Sequence, residues 1–197
     1  TYFNYSLIYD LRNKNFRPDE GFKNSFIQEL PIMSDNYEIV NSFETTRYQK
    51  ISEMITKVSF YGKAVNTLSG DDVRISKRLF IPGSKLRGFE SGKIGPIENN
   101  DFIGGNYVSA ANFTATLPQL LPSFQNMDFS FFIDAANVWG VDYDSSIDDN
   151  SKIRSTTGLN IDVLTPVGPL SFSFSQPITK SSSDITESFR FNLGTTF

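Results

Sequence analysis

The segment SKLRGFESGKIGP, residues 84–96, contains the most distinctive group of side chains in the sequence: an arginine followed by a glycine and a phenylalanine. Its glycines, its proline and its lack of apolar periodicity predict a loop. The guanidinium of Arg87 can form a bidentate, charge-assisted pair with a carboxylate that is shielded from bulk water. The chemistry that this loop could support is therefore fastening by an ion pair rather than bond breaking.

The composition excludes several classes of site. The chain has 197 residues with no cysteine and no histidine, which excludes disulfides, thiolate or histidine metal sites, cysteine nucleophiles and histidine-dependent triads. Its net charge of −4 does not favour nucleic acid as a partner. The acidic run at residues 142–151 lacks the glycine and the bidentate glutamate of a calcium loop, so we interpret it as a solvated loop. The sequence predicts no enzyme, no metal and no cofactor.

Alternation with a period of two predicts a chain of β-strands. In FSFFIDAANVW, Phe129, Phe131 and Ile133 lie on one face, and Asp134 lies on the other. Similar alternation between turn residues predicts about nine strands of roughly ten residues each. They fall in the stretches TYFNYSLIYD, GFKNSFIQEL, IVNSFETTRY, SEMITKVSFYG, YVSAANFTATLP, FSFFIDAANVW, STTGLNIDVL, LSFSFSQ and FRFNLGTTF. The longest connection runs from about residue 63 to residue 106.

The composition of the two strand faces distinguishes between two all-β architectures. A soluble sandwich, which is one alternative, should carry lysine and glutamate on its outer face. Here the polar face carries mainly serine, threonine and asparagine, and the apolar face is rich in phenylalanine. Apolar residues toward lipid, small polar residues toward a wet lumen and strands of ~9–11 residues are typical of an antiparallel transmembrane β-barrel. With this parity, Phe131 and Ile133 face lipid and Asp134 faces the lumen.

Nine strands do not close a bacterial barrel by themselves. Single-chain barrels of this kind have an even number of strands, and each unpaired backbone group in lipid costs several kcal/mol. Either one strand is miscounted, or the chain is the C-terminal part of a larger barrel.

The order of several motifs resembles the C-terminal half of BamA-type outer-membrane assembly barrels. These motifs are YDLRNKNFRPDEG near the start, LRGFE, IGP and GGN in the long connection, FFIDAANVWG, TGLNIDVLTPVGPLSFSFSQPI and the terminal FRFNLGTTF. The resemblance covers nearly the whole chain. It implies that residues 1–197 form roughly the last nine strands of a sixteen-stranded barrel, with no periplasmic POTRA domain among them.

The resemblance also implies a function. The family forms the core of an assembly factor that folds and inserts client β-barrel proteins. The expected partners are outer-membrane lipids, nascent outer-membrane barrel proteins and periplasmic assembly lipoproteins. The expected location is the bacterial outer membrane, with the C-terminus in the periplasm. The alternative within the same superfamily is a transport pore of the two-partner secretion type, which shares the RGF loop.

The resemblance further implies a site in the long connection, which in this family folds back into the barrel lumen. Its motif corresponds here to Leu86, Arg87, Gly88 and Phe89. The arginine reaches an acid at an inward-facing strand position, and the matching acid is Asp134. Some members carry a second acid on the next strand, where this chain has the neutral Thr114. Glu44 and Glu90 are candidates to replace that second acid.

The terminal stretch FRFNLGTTF resembles the β-signal that the assembly machinery reads on its client barrels. Its alternating residues are Phe189, Phe191, Leu193 and Phe197. An exposed strand can join another sheet edge through backbone hydrogen bonds, while alternate side chains set the register. The plainer interpretation is that this strand closes the barrel. Gly194 weakens the packing of the strand, and a glycine within a strand often marks a bend.

Overall fold

The secondary structure is almost entirely β-strand. The computed structural model describes residues 1–33, 37–118, 126–147, 152–166 and 168–194. The strands in these residues are β1 (Tyr2–Asp10), β2 (Gly21–Pro31), β3 (Glu38–Ile51), β4 (Met54–Thr67), β5 (Ile97–Glu98), β6 (Asp101–Phe102), β7 (Tyr107–Pro118), β8 (Met127–Trp139), β9 (Arg154–Thr165), β10 (Gly168–Thr179) and β11 (Phe189–Leu193). Two single 3₁₀ turns, Ile75–Lys77 and Ser145–Ile147, lie in the connections.

One antiparallel sheet contains nine of these strands. Its order is β1-β2-β3-β4-β7-β8-β9-β10-β11, and β5 and β6 form a separate small hairpin. The nine-stranded sheet confirms the predicted all-β architecture. Each strand lies beside its neighbour along the chain, and β4 pairs with β7 across the long connection. Within the described ranges β1 and β11 each pair on one side only, so the sheet is not closed in this chain.

The two faces of the sheet differ in the way that the alternation predicts. Phe131 and Ile133 are 44% and 42% exposed on the outer face, whereas Asp134 is fully buried on the inner face. Further exposed residues of the outer face are Phe113, Leu159, Phe174, Phe189 and Phe191. The inner face carries small polar residues such as Ser59, Asn112, Ser130, Asn160 and Ser173. An apolar outer band and a polar inner wall suit lipid on one side and water on the other.

The longest connection, residues 68–106, folds back against the inner face, and we call it the plug loop. The sequence predicted that this connection begins near residue 63, but in the structure it begins after Thr67. The reason is that residues 63–67 continue the ladder between β4 and β3, where Lys63 lies opposite Ser42 and Thr67 lies opposite Glu38. Within the plug loop, Leu79 forms an antiparallel bridge with Gly105 near the end of the loop.

The hydrophobic core lies between the plug loop and the inner wall. The loop contributes Val73, Leu79, Ile81, Leu86, Phe89 and Ile94, and the strands contribute Val40, Val65, Val108, Ala110, Ala136 and Val138. Burying one large apolar side chain contributes about 1.5–3 kcal/mol. Apolar packing therefore supplies most of the free energy that holds the plug loop inside the sheet.

The connections between the strands range widely in length. The plug loop shares its end of the sheet with the connections at residues 140–153 and 180–188. At the opposite end, β3 and β4 are joined by the two-residue turn Ser52–Glu53. No helix in the part of the chain that the structure describes is long and apolar enough to span a membrane.

Candidate functional site

The tip of the plug loop contacts the inner wall through Arg87 and Asp134. Arg87 donates from Nε to Oδ2 and from Nη2 to Oδ1 of Asp134, both at 2.7 Å, and its backbone N–H donates to Oδ2 at 3.1 Å. Asp134 is fully buried in β8, and the Arg87 side chain is 17% exposed. The two planar groups form a bidentate ion pair shielded from water, which we call the arginine clamp.

The ring of Phe132 lies directly beneath the guanidinium. The central carbon of the Arg87 guanidinium is 3.6 Å from the ring centroid, and the ring is fully buried. The ring has room because the residue opposite it on β9 is Gly158, where a Cβ atom would come within 2.6 Å of the ring. A cation over an aromatic face is attracted by the ring quadrupole, so Phe132 supports the charged group while excluding water from it.

Two side chains of β7 complete the surroundings of the clamp. Asn112 donates from Nδ2 to Oδ1 of Asp134 and to the carbonyl oxygen of Lys85, both at 2.8 Å. Thr114, at the position where the resemblance implied a second acid, accepts a 3.4 Å hydrogen bond from Nη2 of Arg87. A neutral hydroxyl therefore lies at the position of the second carboxylate, and Arg87 pairs with the carboxylate of Asp134.

The two candidates for a replacement acid lie elsewhere. Glu44 of β3 pairs with Lys85, whose ammonium group also lies 5.4 Å from the ring centroid of Tyr61. Glu90 is exposed, and its backbone N–H donates to the carbonyl oxygen of Ile185 at 2.9 Å. Lys85 thus gives the loop tip a second ionic contact, with β3 rather than with the clamp.

The other residues of the loop motif are fixed by packing. Leu86 and Phe89 are buried in the core. Gly88 has a φ of +86°, and a Cβ atom there would lie 2.6 Å from Oγ1 of Thr156. The left-handed backbone and the lack of space both require glycine at this position.

A cluster around Asp142 holds the base of the plug loop. Asp142 accepts hydrogen bonds from the backbone N–H of Val73 at 2.7 Å, from Nη2 of Arg78 at 2.6 Å and from Nδ2 of Asn106 at 3.0 Å. Burial alone would raise the pKa of Asp142, but the bonds from Val73 and Asn106 and the charge of Arg78 hold that pKa below its ordinary value. Asp142 is exposed, as the interpretation of residues 142–151 as a solvated loop predicts, but it also binds the plug loop, which that interpretation did not include; residues 148–151 lie outside the described residues.

The connection between β10 and β11 contacts the other side of the loop tip. Phe89 of the motif forms an antiparallel bridge with Thr186. Arg154 of β9 fixes this connection by donating from Nη2 and Nε to Oδ1 and Oδ2 of Asp184, at 2.9 and 3.0 Å, with both side chains fully buried. The sequence carries no signal for this second pair, because Asp184 lies in a polar connection with no periodic pattern.

The terminal strand places its aromatic residues on the outer face. Phe189, Phe191 and Leu193 are exposed there. The strand pairs with β10 over five residues, from Phe189 opposite Phe174 to Leu193 opposite Leu170. Gly194 follows the strand with a φ of +126°. Phe197, the last residue of the predicted signal, lies outside the described residues.

Comparisons with known proteins identify the family of this chain. The family model of the Omp85 superfamily domain matches residues 1–197. The chain belongs to the Omp85 superfamily. Two similar curated proteins of the superfamily are each named outer membrane protein assembly factor BamA. The one from Neorickettsia risticii (strain Illinois) is 23% identical over 199 residues, which cover 98% of this chain. The one from Neisseria meningitidis serogroup B (strain ATCC BAA-335 / MC58) is 30% identical over 141 residues, which cover 57% of it.

The fold of this Omp85 chain also matches a solved structure. The crystal structure of BamA from Haemophilus ducreyi lacking POTRA domains 1–3 superposes with a TM-score of 0.89 at 25% identity, over 96% of this chain. The chain spans 27% and 17% of the length of the two curated relatives and 41% of the crystallised chain. The nine-stranded sheet therefore corresponds to a part of these larger proteins.

Proposed function

We propose that this Omp85 chain is the membrane-embedded core of an outer-membrane protein assembly factor that folds and inserts client β-barrel proteins. The observation that carries the proposal is the match of the whole sheet to a BamA barrel, with a TM-score of 0.89. The two named relatives are outer membrane protein assembly factors. The expected partners are nascent outer-membrane barrel proteins, outer-membrane lipids and periplasmic assembly lipoproteins.

The proposed reaction is strand pairing, without covalent chemistry. Among the described residues the terminal strand β11 pairs with β10 on one side only. In the proposal its other side meets the first strand of the complete barrel at a seam, and opening of this seam exposes unpaired backbone N–H and C=O groups. In lipid each such unpaired group costs several kcal/mol. A nascent client strand that pairs with this edge removes that cost for both partners, and its alternating side chains set the register. The edge therefore supplies a template on which client strands form.

In this proposal the plug loop closes the lumen while strand pairing takes place at the edge. The core residues of the loop bury apolar surface against β4, β7 and β8, and the arginine clamp sets the position of the tip along β8. A loop that stays docked keeps the inner wall rigid, so the sheet edge keeps its geometry when clients bind.

The complete barrel in the proposal has sixteen strands, of which residues 1–197 supply the last nine. The two open edges of the sheet, β1 and β11, support the presence of further strands, because unpaired backbone groups at an edge in lipid are costly and need partner strands. The remaining strands and the POTRA domains come from sequence outside these residues. The C-terminus faces the periplasm, and the plug loop and its neighbouring connections lie at the extracellular end.

A secretion pore of the two-partner type is the second candidate within the superfamily. The two named relatives are assembly factors, so the comparisons favour assembly over secretion.

Depletion of the full-length protein in its native bacterium tests this function. We expect the outer-membrane levels of many unrelated β-barrel proteins to fall together, as measured by quantitative proteomics of purified outer membranes. The loss of one secreted substrate, with normal levels of other barrel proteins, would instead identify a secretion pore.

A further inference from the structure

Arg190 connects the terminal strand to the plug loop. It lies on the lumen side of β11, between the outward residues Phe189 and Phe191. Its Nη1 donates to the carbonyl oxygen of Gly83 at 2.6 Å, and its Nη2 donates to the carbonyl oxygen of Phe89 at 2.5 Å. These two acceptors lie on either side of the loop tip, so one guanidinium binds both of its ends.

The contact is closely fitted. A Cβ atom at Gly83 would lie 2.8 Å from Nη1 of Arg190, so the carbonyl is accessible because the residue has no side chain. The remaining Nε–H of Arg190 donates to Glu187 at 2.8 Å, and its side chain is 13% exposed. The planar fork of an arginine is suited to binding several acceptors at fixed angles.

Backbone hydrogen bonds extend the same contact. The N–H of Glu187 donates to the carbonyl oxygen of Gly88 at 3.0 Å, and the N–H of Glu90 donates to that of Ile185 at 2.9 Å. They flank the bridge between Phe89 and Thr186. The loop motif therefore pairs, like a short strand, with the segment that leads directly into β11.

The terminal strand is otherwise weakly attached within the described residues. It pairs with β10 over five residues, whereas β10 pairs with β9 over eleven. On the outer face, its aromatic residues stack on β10, with Phe191 5.3 Å from Phe172 and Phe189 5.2 Å from Phe174 between ring centroids. Contacts on the lumen side are thus a large share of what positions this strand.

We propose that Arg190 is a positioning residue that couples the docking of the plug loop to the position of the edge strand β11. The clamp residue Arg87 and the acceptor carbonyl of Phe89 are two positions apart in the same motif. Arg87 binds the wall at β8, and Phe89 is bound from β11. Release of the clamp therefore loosens β11, and release of Arg190 loosens the loop tip. This coupling goes beyond the proposed function, because it concerns the resting protein without a client.

Hydrogen exchange of the full-length protein in lipid nanodiscs tests the coupling. The amides of residues 186–194 are followed by mass spectrometry in the Arg190→Ala, Arg87→Ala and double variants. We expect each single variant to speed this exchange by about tenfold or more, since each removes charge-assisted hydrogen bonds that limit local opening. We expect the double variant to exchange no faster than the faster single variant.

Three further variants separate coupling from local damage. Gly83→Ala blocks one acceptor and leaves every charge in place, so it should speed the exchange of residues 186–194 even if Arg190→Ala fails to fold. Glu187→Gln removes the ion pair but leaves both carbonyl contacts, and it should change the exchange little. Arg47→Ala, on the exposed outer face of β3, is the matched control. Unchanged exchange of residues 186–194 in Arg87→Ala, or multiplying effects in the double variant, would overturn the proposal.

Discussion

The carboxylate of Asp134 accepts four hydrogen bonds, three from Arg87 and one from Asn112. Moving the two charges out of water costs several kcal/mol, which their attraction roughly offsets. The clamp therefore adds less net stability than the burial of Leu86 and Phe89. Its contribution is geometric, because a bidentate pair selects one position of the loop tip along β8.

Replacing one partner of the clamp should be more harmful than replacing both. Asp134→Asn or Arg87→Met leaves the other group buried without its charged partner, so we expect the free energy of unfolding to fall by about 3–5 kcal/mol. Urea titration of the full-length protein in lipid vesicles measures this change. The double variant should recover part of the loss, and a coupling energy of zero in this cycle would contradict the clamp.

Substitution of two glycines in the plug loop distinguishes the cost of a steric clash from the cost of backbone strain. Gly88 and Gly92 both have positive φ, at +86° and +73°. A Cβ atom at Gly88 would clash with Oγ1 of Thr156 at 2.6 Å, whereas one at Gly92 would lie in ordinary contact with Phe80 at 3.7 Å. Gly88→Ala should therefore lower the free energy of unfolding by about 1–3 kcal/mol more than Gly92→Ala does. Equal losses in the same urea titration would show that the close fit of the loop tip contributes nothing.

The strands could be predicted from the sequence because their signal is local. Alternation alone placed Phe131 outward and Asp134 inward, and it also places Phe132 and Asn112 on the lumen side. Alternation cannot show which loop residue these side chains meet, because that depends on the path of the whole plug loop. The partner of Arg87 came from the family resemblance.

The contacts that involve residues of the connections could not be predicted from the sequence. Asp142 binds Arg78 and Val73, and Arg154 binds Asp184, across long separations along the chain. All these acceptors lie in irregular segments with no period. Only the packed fold brings them together, which is why the sequence did not reveal the contacts of Asp142.

Acid should release the base of the plug loop. The pKa of Asp142 is lowered in the folded chain, so its stabilising contribution is complete above the ordinary value of 3.8. The contribution is lost as the pH falls below 3.8 and through the lowered pKa. We expect pepsin to cleave the plug loop faster as the pH falls through this range.

The Asp142→Asn variant is the control for this acid effect. At the higher pH values this variant should be cleaved faster than the wild-type protein. The difference between the two rates should shrink as the pH falls, until the rates are equal in acid. A constant ratio of the two rates between pH 5 and pH 2 would show that Asp142 does not hold the loop.

At the scale of the whole molecule, the nine-stranded sheet corresponds to part of a larger protein. Composition and alternation were sufficient to predict an outer face for lipid and an inner face for water, and the odd strand count indicated an incomplete barrel. The number of missing strands could not be derived from these residues, because closure depends on strands that they do not contain. The match over 41% of the Haemophilus ducreyi chain is consistent with that view.

As the core of an assembly factor, the proposed function, this sheet should accelerate the folding of other barrels. The most direct test reconstitutes the full-length protein into lipid vesicles and adds an unfolded client barrel protein. Folding is followed by the electrophoretic shift between folded and unfolded client. We predict faster client folding than in vesicles that contain an unrelated barrel of similar size. Equal folding rates in the two kinds of vesicle would contradict the claim.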